Sequence, residues 1–91
     1  MERVKRLVLD VLKPHNPNPL EFARALVSLC VGYEVRLVVD EMDENTESII
    51  LEISAHDIDY ELIAEKIKEM GGSIHSIDEV EVVNTSKDEE E

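Results

Sequence analysis

Between Val4 and Lys13 the chain reads Val-Lys-Arg-Leu-Val-Leu-Asp-Val-Leu-Lys, and three prolines, Pro14, Pro17 and Pro19, follow at once. Leu7, Leu9 and Val11 fall on one side of this alternation, and Arg6, Val8, Asp10 and Leu12 on the other, which is the period of a strand with one fully apolar face. The prolines lack amide donors, so they cannot continue a ladder and mark a stiff loop ending the strand. The rest of the chain has to be arranged around this strand, which carries an acid, Asp10, among apolar neighbours and leaves through a Pro14-His15 turn.

After the loop, Asn18 is a good N-cap, Pro19 suits the first helical position and Glu21 sits where a capping-box acid would. The helix is expected to run to about Val31 with Phe22, Ala25, Leu26, Leu29 and Cys30 on one stripe, and Gly32 ends it. Tyr33 to Met42 alternates again, with Tyr33, Val35, Leu37 and Val39 on one face. Thr46 to Ala55 does likewise, with Ile49, Leu51, Ile53 and Ala55 on one face. Keeping both apolar faces together asks for an odd loop, and Asp43-Glu44-Asn45 with Asn45 left-handed would serve. Asp57 is the expected cap of a second helix whose stripe is Ile58, Leu62, Ile63, Ile67 and Met70, stopped by Gly71-Gly72. Ser73 to Val83 is a last strand whose alternation breaks near Asp78-Glu79, where a bulge is expected. The order β-α-β-β-α-β is solved compactly by an α+β ferredoxin-like fold, an antiparallel sheet ordered 4-1-3-2 with both helices on one face.

Ninety-one residues make one domain, read as 1–83 with an acidic, disordered tail at 84–91. Phe22, Tyr33 and Tyr60 are the only aromatics, so the core is aliphatic. The net charge is −13, of which the tail supplies −3 and residues 1–83 the remaining −10. So acidic a chain is repelled by nucleic-acid backbones and anionic lipid, and favours cations or basic protein partners. The lone Cys30 allows no internal disulfide and suits a reducing cytoplasm, and no apolar run approaches membrane-spanning length. A chain this small has a marginal core. Val8, Leu12, Val38 and Ile50 also dot the far face of the sheet, so a homo-oligomer, with this face or an edge strand covered by another subunit, is expected.

Two stretches, Arg-Leu-Val-Leu-Asp-Val-Leu-Lys-Pro-His at 6–15 and Gly-Gly-Ser-Ile-His-Ser-Ile-Asp-Glu-Val at 71–80, resemble the opening and closing motifs of the mainly archaeal domain-of-unknown-function family two-one-one. The resemblance spans residues 3–83 and leaves out the acidic tail. It implies a ferredoxin-like fold assembled into homo-oligomers, and no established activity.

The strongest chemical constellation joins these motifs. With strands 1 and 4 antiparallel, Asp10 is expected opposite Ile77, with His75 and Glu79 one pair away and Asp78 swung in by the bulge. Carboxylates with one imidazole suit Mg²⁺, Mn²⁺ or Zn²⁺, and oxygen ligands alone suit Ca²⁺ or Mg²⁺, so Asp10, His75, Asp78 and Glu79 are the candidate metal ligands. The bland alternative pairs Asp10 with Arg6 or Arg36 and leaves His75 hydrogen-bonded at an interface. Asp10 and His15 are the candidate contacts to an organic ligand, although His15 is better read as fixing its loop through a backbone hydrogen bond. Asp43, Asn45 and Glu47 alternate faintly like a calcium loop but lack its glycine and distal glutamate, so a solvated acidic turn is expected. His56 is expected exposed, and Cys30 buried and inert.

RNA-recognition domains of this topology need exposed aromatics and a basic surface, metallochaperones need Cys-x-x-Cys, and acylphosphatase-like enzymes need amides in the first loop. None of these is here, and neither is a Walker, dinucleotide or Ser-His-Asp motif. The reading that remains is a non-catalytic oligomeric module, ring-like if closed, binding a small ligand or divalent cation in a regulatory role. The alternatives are a purely structural or protein-interaction subunit, steered to a basic partner by its acidic tail, and a hydrolase using a metal at Asp10 and His75.

Overall fold

The computed structural model describes residues 1–85. The first strand, β1 (Glu2–Pro14), is followed by α1 (Pro19–Val27), β2 (Glu34–Met42), β3 (Thr46–Ser54), α2 (Tyr60–Glu69) and β4 (Ser73–Asn84). The four strands form one antiparallel sheet ordered β2-β3-β1-β4, so β1 is central, as the ferredoxin-like reading requires. Its apolar face packs beneath the helices. Leu7, Leu9 and Val11 meet Ile49, Leu51 and Ile53 of β3, and Phe22, Leu26, Ile58, Ile63 and Ile67 close over them. Among the described residues ten of the twelve buried hydrophobic ones are aliphatic, so apolar burial, chiefly aliphatic, holds the two layers together.

The register of β1 against β4 slips at three places. Leu9 opposes Ile77 and Asp10 opposes Ser76, one residue away from the expected Asp10–Ile77 pair. The reason lies in β4, where Asp78 is passed over; His75 is passed over after the Asp10 pair, and the third slip leaves Lys5 of β1 unopposed. The bulge expected at Asp78 is therefore present, and a second one lies at His75. Beyond Arg6, β1 has no β3 partner, so Glu2–Val4 and Val82–Asn84 continue as a two-stranded ribbon. Asn84 thus ends a strand instead of opening the tail, and the Thr85 amide donates to the Met1 carbonyl at 2.8 Å. The remainder of the acidic tail, 86–91, lies outside the described residues.

Four local expectations are corrected. Helix α1 stops at Val27, short of Val31: Ser28 caps it, and Gly32 at φ +93° turns the chain only after a further stretch of turns. The N-cap of α2 is Asp59, whose side chain accepts from the Leu62 amide at 3.2 Å; the Asp57 carboxylate is occupied by the Val4 amide at 3.1 Å. Asn45 is not left-handed, because among the described residues only glycines have positive φ. The hairpin keeps both apolar faces together through a bulge at Asp40, between the Val39–Ile49 and Glu41–Ser48 pairs. Cys30 is half-buried against the core instead of enclosed in it. Asn18 does cap α1, accepting from the Glu21 amide at 2.9 Å.

Candidate functional site

The open face of the sheet, opposite the helices, carries Arg6, Val8, Asp10 and Leu12 of β1, as the alternation requires. A ladder of ion pairs crosses all four strands here. Glu79 of β4 accepts from Arg6 of β1, Arg6 donates to Glu52 of β3 at 3.2 Å, and Glu52 accepts from Arg36 of β2 at 3.0 Å. These pairs are partly solvated and each contributes less than about 1 kcal/mol. Their importance is what they exclude: both arginines expected to neutralise Asp10 are engaged by glutamates.

Asp10 instead lines a groove of about 300 Å³ with Leu12, Ser48 and His75. Neither Asp10 nor His75 makes a side-chain hydrogen bond or ion pair with another of the described residues. Two of the four candidate metal ligands are thus brought to one groove. The other two are not: Glu79 is held by Arg6, and the Asp78 carboxylate accepts from the Ser76 hydroxyl at 2.7 Å. Among the described residues no group of three His, Cys, Asp or Glu side chains is placed to hold a metal ion.

The opposite face holds a second cluster that sequence reasoning missed. Lys13 continues the parity of Leu7, Leu9 and Val11 into the core face, and Glu47 continues that of Ile49, Leu51 and Ile53. The two are cross-strand partners, so an ammonium and a carboxylate meet at 2.8 Å with side-chain exposures of 0% and 5%. Lys13 also donates to the Pro14 carbonyl at 2.8 Å, and its Nζ lies 5.6 Å from the centre of the Phe22 ring. The second Glu47 oxygen faces His15 Nδ1 at 2.9 Å, and His15 Nε2 lies 3.0 Å from the carbonyl oxygens of both Asp43 and Glu44. The hydrogen bonds from His15 and then Lys13 hold Glu47 below the ordinary carboxylate range, and the bond to Glu47 pushes His15 up. His15 therefore has both ring nitrogens engaged with the protein, and the backbone it meets is that of the β2–β3 turn, not of its own proline-rich loop. Glu47 does not belong to a solvated acidic turn, although Asp43, Glu44 and Asn45 are exposed. His56 is exposed, in contact with Arg3 at 2.9 Å.

Residues 5–90 match the profile of the family described as "Uncharacterized ArCR", DUF211. An uncharacterized protein of Methanocaldococcus jannaschii is 42% identical over 80 residues, covering 88% of this chain and 82% of the relative. The chain belongs to this family. The match runs through the acidic tail to residue 90, so the tail is not outside the family pattern as the two motifs alone suggested. Membership confirms the archaeal resemblance and brings no activity with it. Among the described residues no helix is long and apolar enough to cross a membrane.

Proposed function

We propose that the protein is a non-catalytic, self-associating module that takes a small ligand or divalent cation in the open-face groove, in a regulatory role. The observation that carries this is the unclaimed pair Asp10 and His75. Arg6 and Arg36, the cations nearest in the sequence pattern, are spent on Glu52 and Glu79, which leaves a carboxylate and an imidazole facing one groove beside an apolar side chain and the hydroxyl residue Ser48. Two protein ligands are too few for a structural Zn²⁺. They suit Mg²⁺, Ca²⁺ or Mn²⁺ retaining waters, or an organic ligand that brings its own polar atoms.

Self-association is supported by apolar surface that the helices leave bare. Ile77, Val80 and Val82 of the edge strand β4 are 49%, 56% and 51% exposed, and Leu12 and Val38 on the open face are 45% and 40% exposed. An edge strand of this kind is normally covered or blunted. A second copy on it would also bring further side chains toward the groove.

The test is thermal unfolding of chelator-treated protein against Ca²⁺, Mg²⁺, Mn²⁺ and Zn²⁺, with native mass recorded alongside. A ligand at 100 times its Kd adds about 2.7 kcal/mol, which for a domain of this size raises the midpoint by roughly 10–20 °C. The expected result is such a rise with one ion, abolished by Asp10→Ala in a variant that still folds. A rise that survives Asp10→Ala would place the site elsewhere. No rise with any ion, and a monomeric mass, would sink the reading.

A further inference from the structure

The contacts of His15 fix its protonation state by elimination. A neutral imidazole has one N–H and one bare nitrogen, so it can donate through only one of them. His15 Nδ1 faces a Glu47 carboxylate oxygen, and Nε2 faces two backbone carbonyls, those of Asp43 and Glu44. All three partners are acceptors and none has a proton to give. With either neutral tautomer, one ring nitrogen would point a lone pair at another lone pair. Only the imidazolium satisfies both ends.

We infer that His15 is a pH-operated latch, which as the imidazolium ties the turn of the β2–β3 hairpin to the exit of β1 and on losing a proton lets that turn go. The groups that face it are consistent with this. From β3 comes Glu47. From the turn come the carbonyls of Asp43 and Glu44, in a segment whose side chains are acidic. From the end of β1 comes Lys13, a second cation, but it is bonded to the other oxygen of Glu47 and so does not displace the imidazolium. The loop that follows His15, Asn16-Pro17-Asn18-Pro19, carries no charge. Glu47 is thus sized for two cations, with one oxygen for each.

The hairpin end is the part of the sheet that depends on such a tie. Val38 to Asn45 are exposed throughout, and β2 is an edge strand paired only with β3. Its bulge at Asp40 interrupts even that ladder just before the turn. Apart from strand pairing, His15 is the side chain among the described residues that hydrogen-bonds the turn from across the sheet, donating to the carbonyls of two successive turn residues. Removing its proton necessarily loses either the contact to Glu47 or the contact to the turn. The carboxylate, itself locked by Lys13, is the stronger acceptor, so the turn is the one released. The solvent-exposed part of the ring, about 38% of the side chain, leaves the proton free to exchange with bulk water.

The experiment is an NMR titration of the intact chain from pH 5 to 9, following the imidazole C–H signals and the backbone amides of 43–46. His15 is assigned by its loss in His15→Gln. Its midpoint is expected above that of the same residue in the urea-unfolded chain. The amides of 43–46 are expected to shift with that same midpoint and to exchange faster above it, and His15→Gln should remove the step while leaving the core amides protected. A midpoint at or below the unfolded value would show a neutral imidazole and overturn the assignment. So would turn amides that ignore the His15 titration, or a step of undiminished size in His15→Gln.

Discussion

The buried ion pair makes a prediction that separates the cost of breaking it from the value of having it. In Glu47→Leu the Lys13 ammonium, with no solvent exposure, keeps only the Pro14 carbonyl at 2.8 Å and a glancing approach to the Phe22 ring. His15 loses its partner as well. Stranding one member of a buried pair costs about 3–5 kcal/mol, against a total stability of roughly 5–14 kcal/mol for 91 residues. The unfolding midpoint should fall by roughly 12–40 °C. Lys13→Met should cost less, because Glu47 keeps the His15 imidazolium as a counter-ion. In the double variant Lys13→Met/Glu47→Leu no fully buried charge is stranded, since His15 is 38% exposed and reaches water, and the side chains roughly match the volumes they replace. Its stability should lie within about 2 kcal/mol of the native chain, or above it, since buried pairs replaced by apolar residues often give neutral or stabilised proteins. Urea unfolding of all four proteins closes the cycle. If the double variant were as damaged as the sum of the singles, Lys13 and Glu47 would be acting separately. If Glu47→Leu cost under 1 kcal/mol, the site would be wetter than the structure shows.

Three further outcomes follow from single contacts. Glu47, lowered below its usual 4.5, lends stability that is complete above that value and lost as pH falls through its folded value; His15, raised above 6.5, lends stability that is complete below 6.5 and lost as pH rises through its folded value. The urea midpoint of the native chain, taken relative to Lys13→Met/Glu47→Leu, should therefore peak between pH 4.5 and 6.5, and a difference that climbed steadily to pH 9 would contradict the assignment. A Cβ on Gly72 would stand 2.9 Å from the Ile67 γ2 methyl and 3.3 Å from its carbonyl oxygen, so Gly72→Ala should cost about 1–3 kcal/mol by overpacking, whereas Gly32→Ala meets open space and should cost about 1–2 kcal/mol through its positive φ alone; chemical denaturation of the two distinguishes them by whether a second, compensating Ile67→Leu, which removes that γ2 methyl, recovers stability, which it should do for Gly72→Ala only. Tyr33→Phe removes the hydroxyl that accepts from the Asp59 amide at 2.9 Å and should cost about 1 kcal/mol, read as faster amide exchange confined to the first turn of α2.

The architecture was legible because alternation and helical spacing are local and mutually consistent. Leu7, Leu9 and Val11, then Ile49, Leu51 and Ile53, then Ile63 and Ile67 select the same core from three directions, and only one compact topology joins them. What escaped was decided across strands. The slip at Asp78 that sets Asp10 against Ser76 is marked by the broken alternation, but the second slip, which skips His75 and sets Val11 against Ile74, falls at a polar residue for which no local rule fixes it. Asp57 and Asp59 are equally good caps by composition. Only the Val4 amide, brought in by folding, claims the first and leaves the second for the helix.

Lys13 and Glu47 are a different case, because their burial could have been read. Each sits at the next even step beyond a run of core residues, and a period-2 pattern does not end where hydrophobicity ends. The expectation that charge marks solvent overrode the parity. A charged residue in core phase on one strand needs an opposite charge in core phase on its neighbour, because an unpaired charge is too costly to bury. With β1 and β3 antiparallel and Val11 against Ile49, that partner of Lys13 is residue 47, and residue 47 is a glutamate. His15, two residues on, lies within reach of the same carboxylate. The two charged residues at the ends of apolar runs are thus a register signal, and they mark the end of the sheet where the β2–β3 hairpin is tied down.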